Sequence, residues 1–180
     1  MNQIETYISL LKEYNEHTNI YSKKAYDKLE FHVKDCEHLS SLIPENTKTI
    51  VDLGSGSGLP AVILAIKNPN ITVTAVESKS RKTKFLFHVK QELNLNNLEI
   101  INNNIHEWLH KSSPKAKIVT CKAFAPHKKA LKIANRLAIK DSKLIIPISA
   151  DQAETLQDAK KSKIEKHPIL DTYYITTDIS

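Results

Sequence analysis

The stretch Thr49-Ile50-Val51-Asp52-Leu53-Gly54-Ser55-Gly56-Ser57-Gly58 passes from five residues of strand-forming character straight into glycines at alternate positions. Those three are the only glycines in 180 residues, far below an average usage of roughly 7%. A composition that has shed glycine elsewhere keeps it where the backbone must turn tightly or approach a ligand closely. Apolar Val62, Ile63 and Ala65 follow at once, so the stretch reads as strand, glycine turn, helix.

Downstream, the pattern repeats. A strand is expected at Ile71 to Val76, then a helix carrying Phe85, Leu86, Val89 and Leu93. A strand at Leu98 to Ile101, a short helix near 105–111 and a strand at Ile118 to Cys121 follow. A helix with Ala130, Leu131, Ala134 and Leu137 leads to a strand at Leu144 to Ile148. The tail reads as a helix near 151–162 and two strands, Ile164 to Leu170 and Thr172 to Ile179. Alternation of this kind predicts an α/β fold with a mostly parallel, doubly wound sheet. Upstream, Ile4, Tyr7, Ile8, Leu11 and Tyr14 mark one amphipathic helix, and Leu29, Val33, Cys36, Leu39 and Ile43 a second that ends near Pro44. These precede the alternation, so a single domain over 1–180 is expected, with an N-terminal helical cap (1–45) on a core (48–180).

Hydrophobic residues make up 41% and charged residues 26%, the balance of a globular chain and not of a disordered one. No apolar run is long enough for a bilayer, and Met1-Asn2-Gln3-Ile4-Glu5 lacks the form of a secretory leader. No membrane association is expected. Cys36 and Cys121 lie too far apart to form a metal-type pair, and a reducing cytoplasm is the expected compartment. The net charge of +6 makes a polyanion partner plausible. Only Arg81 and Arg136 of the 26 basic residues are arginine, so part of that charge reflects lysine-rich composition.

In an open α/β sheet, ligands bind at the carboxyl ends of the strands, beside the first strand. The spacing G-x-G-x-G differs from the G-x-G-x-x-G that seats a pyrophosphate, which disfavours a nicotinamide-dependent oxidoreductase. S-adenosylmethionine (SAM) carries no phosphate, and its methionine and ribose can pack against a glycine backbone at Gly54, Gly56 and Gly58. Glu77 ends the second strand, 23 residues past Gly54, where a carboxylate can accept from both ribose hydroxyls. Asn104, Ile105 and His106 follow the third strand, placed to flank an adenine.

A second reading comes from His106-Glu107-Trp108-Leu109-His110, which spells the H-E-x-x-H of zinc peptidases. The segment is short, lying between Asn104 and Pro114, and Glu154 is the one distant candidate for a third ligand. No metal is therefore expected. Cys121, at a strand end, has the character of a small buried hydrophobe more than of a nucleophile. His32 and Asp35 share a helical face, where a surface hydrogen bond is the plain expectation. The Lys79 to Lys84 cluster reads as a solvated helix start near the cofactor edge.

Several ordered motifs between Tyr14 and Ile148 resemble the bacterial small-subunit ribosomal RNA guanine-N7 methyltransferases, the RsmG/GidB family. Tyr14-Asn15-Glu16-His17-Thr18-Asn19-Ile20 is similar to that family's aromatic-Asn-x-x-x-Asn-Leu signature, and His32-Val33-Lys34-Asp35 to its His-x-x-Asp element. Asp52-Leu53-Gly54-Ser55-Gly56-Ser57-Gly58-Leu59-Pro60 resembles its glycine motif. The stretch from Glu77 to Leu86 and the segment Thr120-Cys121-Lys122-Ala123-Phe124-Ala125-Pro126 resemble two more. The resemblance implies a Rossmann-like SAM-dependent methyltransferase fold. It also implies cofactor contacts at Gly54, Leu59, Ile105, His106 and Lys122, with the substrate purine beside the cap near Asn19, His32 and Lys122. Ribosomal RNA or the small ribosomal subunit is the implied partner. Departures are specific: Lys122 stands for the family's arginine and cannot form its planar fork. Ala61 replaces a glycine, Phe31 replaces a basic residue, and Pro147-Ile148-Ser149 replaces Leu-Lys-Gly.

Guanine N7 has a lone pair and no proton, so methylation there needs orientation and no general base. The absence of an evident catalytic dyad is thus expected. Two alternatives stay open in the sequence: a methyltransferase for a small molecule, and a SAM-binding relative with little activity.

Overall fold

The strand before the glycines, β1 (Thr49–Leu53), is buried on both faces and lies near the middle of a seven-stranded sheet in the computed structural model, which describes residues 2–112 and 114–179. Parallel β2 (Thr72–Glu77) and β4 (Ala116–Thr120) flank it. Beyond β2 comes parallel β3 (Leu98–Asn102), and beyond β4 parallel β5 (Ala138–Ile148). Antiparallel β7 (Tyr173–Ile179) and then β6 (Ser162–Lys166) complete the order β3-β2-β1-β4-β5-β7-β6. The winding runs outward from β1 to β3, then restarts on β1's other side at β4. That reversal leaves a crevice at the carboxyl ends of β1 and β4, where doubly wound sheets bind ligands.

Side chains alternate across a strand, so β1 feeds two cores. Ile50 joins an apolar cluster with α3 (Ala61–Lys67), α4 (Ser80–Glu92) and the two helices of the cap, α1 (Gln3–His17) and α2 (Leu29–Ser41). Val51 and Leu53 join the opposite cluster with α5 (Ile105–Ser112) and α6 (His127–Leu137). Tyr7, Leu11, Val33 and Leu39 of the cap are therefore part of the core on one sheet face. No helix among the described residues is long and apolar enough to cross a membrane.

The tail differs from its expected form. The helix expected near 151–162 is α7 (Ala150–Thr155), started by a Ser149–Gln152 capping box and ended before a lysine-rich turn. That turn offers only half-buried Leu156 and Ala159 to the core, too little apolar surface to extend the helix. The following strand starts early, at Ser162, and stops before Pro168. There His167 Nδ1 accepts the N–H groups of Ile169 (3.0 Å) and Leu170 (2.9 Å), curling the chain out of the sheet. β5 begins six residues before the expected Leu144; Lys140, Asp141, Ser142 and Lys143 interrupt the apolar pattern between Ile139 and Leu144.

Candidate active site

The glycine loop is held from below by β2 and from the side by Glu77. Gly54 and Ser55 donate their N–H groups to the Val76 carbonyl at 2.8 and 3.1 Å. The Gly56 N–H donates to Glu77 Oε2 (2.9 Å), and the Lys79 N–H donates to Oε1 (2.8 Å). Glu77 is 7% exposed and faces the loop. Each oxygen thus has a backbone partner already; Oε2 keeps a second acceptor site for a ligand hydroxyl, and at Oε1 a ligand would compete only with the long contact from the Ser78 hydroxyl at 3.5 Å. From the cap, the buried Tyr7 hydroxyl donates to the Ser57 carbonyl at 2.9 Å, tying α1 to the same loop.

All three glycines have left-handed backbones, with φ of +72° at Gly54, +59° at Gly56 and +104° at Gly58. Their open sides face different neighbours. A Cβ on Gly56 would have Lys82 Nζ as its nearest contact, at 3.7 Å, so that side is free for a ligand. On Gly54 it would lie 2.4 Å from Phe124 Cδ2, because the β4–α6 loop lays this ring against the glycine. On Gly58 it would strike Val62 Cγ2 at 2.5 Å and Leu86 Cδ2 at 3.0 Å. Gly58, expected among the cofactor contacts, turns its bare side into the core, and Leu59 beside it is buried as well.

Asp52, one residue before the loop, is wholly buried, and neither carboxylate oxygen meets a hydrogen-bond partner among the described residues. Burial pushes its acid up to about 7, tempered by the nearby Ser55 hydroxyl and Ala61 N–H and raised further by Glu77. An orphaned buried acid beside an open glycine fits a ligand that brings its own donors, as the ammonium and hydroxyls of SAM do. Sequence reasoning quoted Asp52 without assigning it a part; its signal was a charge inside an apolar strand.

Ile105 begins α5 and is buried against β1 and β2, while the exposed His106 donates its N–H to Asn104 Oδ1 at 2.9 Å. Both stand at the carboxyl edge of β3. His110 is exposed one turn on. Among the described residues, no three His, Cys, Asp or Glu side chains are grouped to hold a metal ion.

Beyond β4 lies a cavity of about 820 Å³, with Phe31, His32, Lys122, Pro126, His127 and Ile148 among its walls. Its volume is that of a small-molecule cleft, with room for a base and more. Lys122 reaches it from the end of β4, with its ammonium paired to Asp35. Here the expectation of a surface hydrogen bond at Asp35 fails. Asp35 is 1% exposed and accepts from Lys122, from the Tyr174 hydroxyl and from Thr172 Oγ1 (3.1 Å). Burial and then the Lys122 charge hold His32 below the usual imidazole range, and its buried Nδ1 has no partner among the described residues. Burial pushes the Cys121 thiol up to about 12, which removes it as a thiolate nucleophile.

Asn19 stands apart from this cavity, exposed in a groove with Lys23, Lys24, Arg81 and Lys82. The other asparagine of the signature, Asn15, is buried and builds the turn: its Oδ1 accepts from Ile20 and Tyr21, and its Nδ2 donates to Tyr21 O and the Tyr26 hydroxyl.

A family model described as "GidB: rRNA small subunit methyltransferase G" matches residues 1–176. A ribosomal RNA small subunit methyltransferase G of Fusobacterium nucleatum is 32% identical, with 90% of this chain and 84% of that protein covered. Another, from Brachyspira hyodysenteriae, is 35% identical, with 89% and 76% covered. Among solved structures, a methyltransferase from Geobacter sulfurreducens superposes with a TM-score of 0.69 at 11% identity, over 100% of this chain and 91% of that one. At that identity the likeness is one of fold.

Proposed function

Because the chain belongs to the GidB family of ribosomal RNA small subunit methyltransferases G, we propose that it transfers a methyl group from SAM to N7 of a guanine in small-subunit ribosomal RNA. The observation that carries this reading is the pairing of two features at the sheet's reversal. One is the glycine loop with its buried acids, and the other is a cavity roomy enough for a base at the end of the neighbouring strand.

SAM supplies a methyl group already activated on a positively charged sulfur. Glu77 is assigned to the ribose hydroxyls through its spare acceptor sites, and Asp52 to the amino-acid ammonium. The open side of Gly56 lets the ligand approach the backbone, and Ile105 and His106 flank the adenine. Phe31, Pro126 and Ile148 wall the purine from water, and Lys122 can donate to its exocyclic oxygen. The chain's contribution is alignment: guanine N7 attacks with its own lone pair, so no side chain has to take a proton. Holding two reactants in line supplies on the order of 7 to 11 kcal/mol in favourable cases.

The test is transfer of labelled methyl from SAM to small-subunit rRNA lacking the modification, with the product mapped to a base and atom. N7-methylguanine at one position is expected. Label entering a small molecule, or another atom of the base, would overturn the assignment.

A further inference from the structure

One buried charge near the cavity has no task in aligning the two reactants. Asp35 sits at the centre of α2, takes donors from Lys122, Thr172 and Tyr174, and lies behind the cavity wall. Burial alone would push its acid up. The Lys122 charge and the three donors outweigh that and hold it below the usual carboxylate range, so it is ionised. Fastening α2 to β7 would not require a charge, since buried ion pairs contribute little net stability over well-packed neutral groups. Its distinguishing contact is the ammonium of Lys122, whose side chain is one-fifth exposed and lines the cavity.

We propose that Asp35 is the counter-charge of the methyl-transfer site: a positioning residue that holds Lys122 on the wall and cancels its charge where the purine turns cationic. The inference rests on the functional reading above. In the transfer, the N7 lone pair forms the new C–N bond while the C–S bond breaks and its electron pair stays on sulfur. No proton moves. One unit of positive charge therefore passes from the sulfur into the cavity. Two like charges about 6 Å apart, at an effective dielectric constant of ~20, oppose each other by on the order of a hundredfold in an equilibrium constant. A lone ammonium on the wall would thus resist the product ring, and an ion pair does not.

The comparison that tests this is guanosine against 7-methylguanosine, bound to the folded protein and measured by ligand-observed NMR. Mildly acidic buffer keeps the methylated base cationic and Asp35 ionised. The parent should bind the two nucleosides with similar affinity. Asp35→Asn should weaken the cationic base relative to the neutral one by on the order of tenfold. Lys122→Met should shift the ratio the opposite way, and the double variant should restore it. In methyl transfer to rRNA, Asp35→Asn should lose kcat with little change in KM, and adding Lys122→Met should recover part of kcat. A clamp that only fastens α2 would change thermal stability without moving the nucleoside ratio. Should Asp35→Asn fail to fold, the opposite shift in Lys122→Met still decides the matter. Ratios unmoved in variants of a parent that does methylate rRNA would overturn the counter-charge alone. A parent that binds neither nucleoside and methylates no rRNA would overturn the functional reading and this inference with it.

Discussion

Gly54, Gly56 and Gly58 look alike in the sequence, and their surroundings give them three different duties. Gly58→Ala adds a methyl between Val62 and Leu86 at a φ of +104°. Overpacking and backbone strain each cost about 1 to 3 kcal/mol, so a loss of several kcal/mol is expected in urea unfolding. Gly56→Ala meets no close neighbour and carries the left-handed strain alone, about 1 kcal/mol. Its loss should appear instead in SAM affinity measured by calorimetry, and unchanged affinity would remove Gly56 from the site. Asp52 supports a pH prediction. Its acid sits near 7 when folded and about 3.9 when unfolded, so between those values the native state binds more protons. Stability therefore falls as pH rises through that window, by on the order of 4 kcal/mol at most. Asp52→Asn should flatten the slope, gaining stability at about pH 8 and little at about pH 4, while weakening SAM binding. Equal pH slopes in parent and variant would refute it. The placing of Gly56 on the loop and of Glu77 at the strand end was legible, because spacing fixes both, and the structure joins them by a hydrogen bond. The Asp35–Lys122 pair was not legible, since 87 residues separate partners that meet only once α2 has folded against the sheet.

At the scale of elements, the cap is joined to the loop it covers. Tyr7 on α1 is fully buried, and its hydroxyl reaches the Ser57 carbonyl between the second and third glycines. Tyr7→Phe keeps the ring and leaves that carbonyl unpaired, at a cost of about 1 to 3 kcal/mol. Both the unfolding midpoint and SAM affinity should drop, because α1 no longer holds the loop's shape. A drop in stability alone would separate cap from cofactor. Elements with a regular apolar period were readable in advance: α1, β1, α4 and α6 fall close to where their patterns put them. The tail was harder because its structure rests on other signals. His167 caps a turn with its ring nitrogen, and Lys161 adopts a φ of +59° just before β6. β5 starts with Ala138 opposite Ala116, then runs through the exposed Ile139, Lys140 and Asp141, unpaired among the described residues, before pairing with β4 and β7 resumes, a break no local pattern announces.

For the whole molecule, the net charge of +6 bears on which ligand feels salt. On the proposed reading SAM would meet the buried acids Asp52 and Glu77, which are shielded from mobile ions. A strand of RNA reaching the cavity has to cross the outer surface, where Lys23, Lys24, Arg81 and Lys82 surround the groove at Asn19. Lys23 already faces Glu16 at 3.1 Å and Lys82 Nζ lies beside Gly56, which leaves Lys24 and Arg81 as the better phosphate contacts. Each phosphate neutralised on a single strand adds about 0.7 to the slope of log affinity against log salt. rRNA binding should weaken steeply with salt while SAM binding stays nearly flat. Replacing Lys24 and Arg81 by alanine should lower the RNA slope by about 1 to 2 and leave SAM affinity near its parent value. An unchanged slope in the double variant would move the RNA path off this groove, and a flat slope in the parent would mean that the lysine-rich surface is not how this protein holds its substrate.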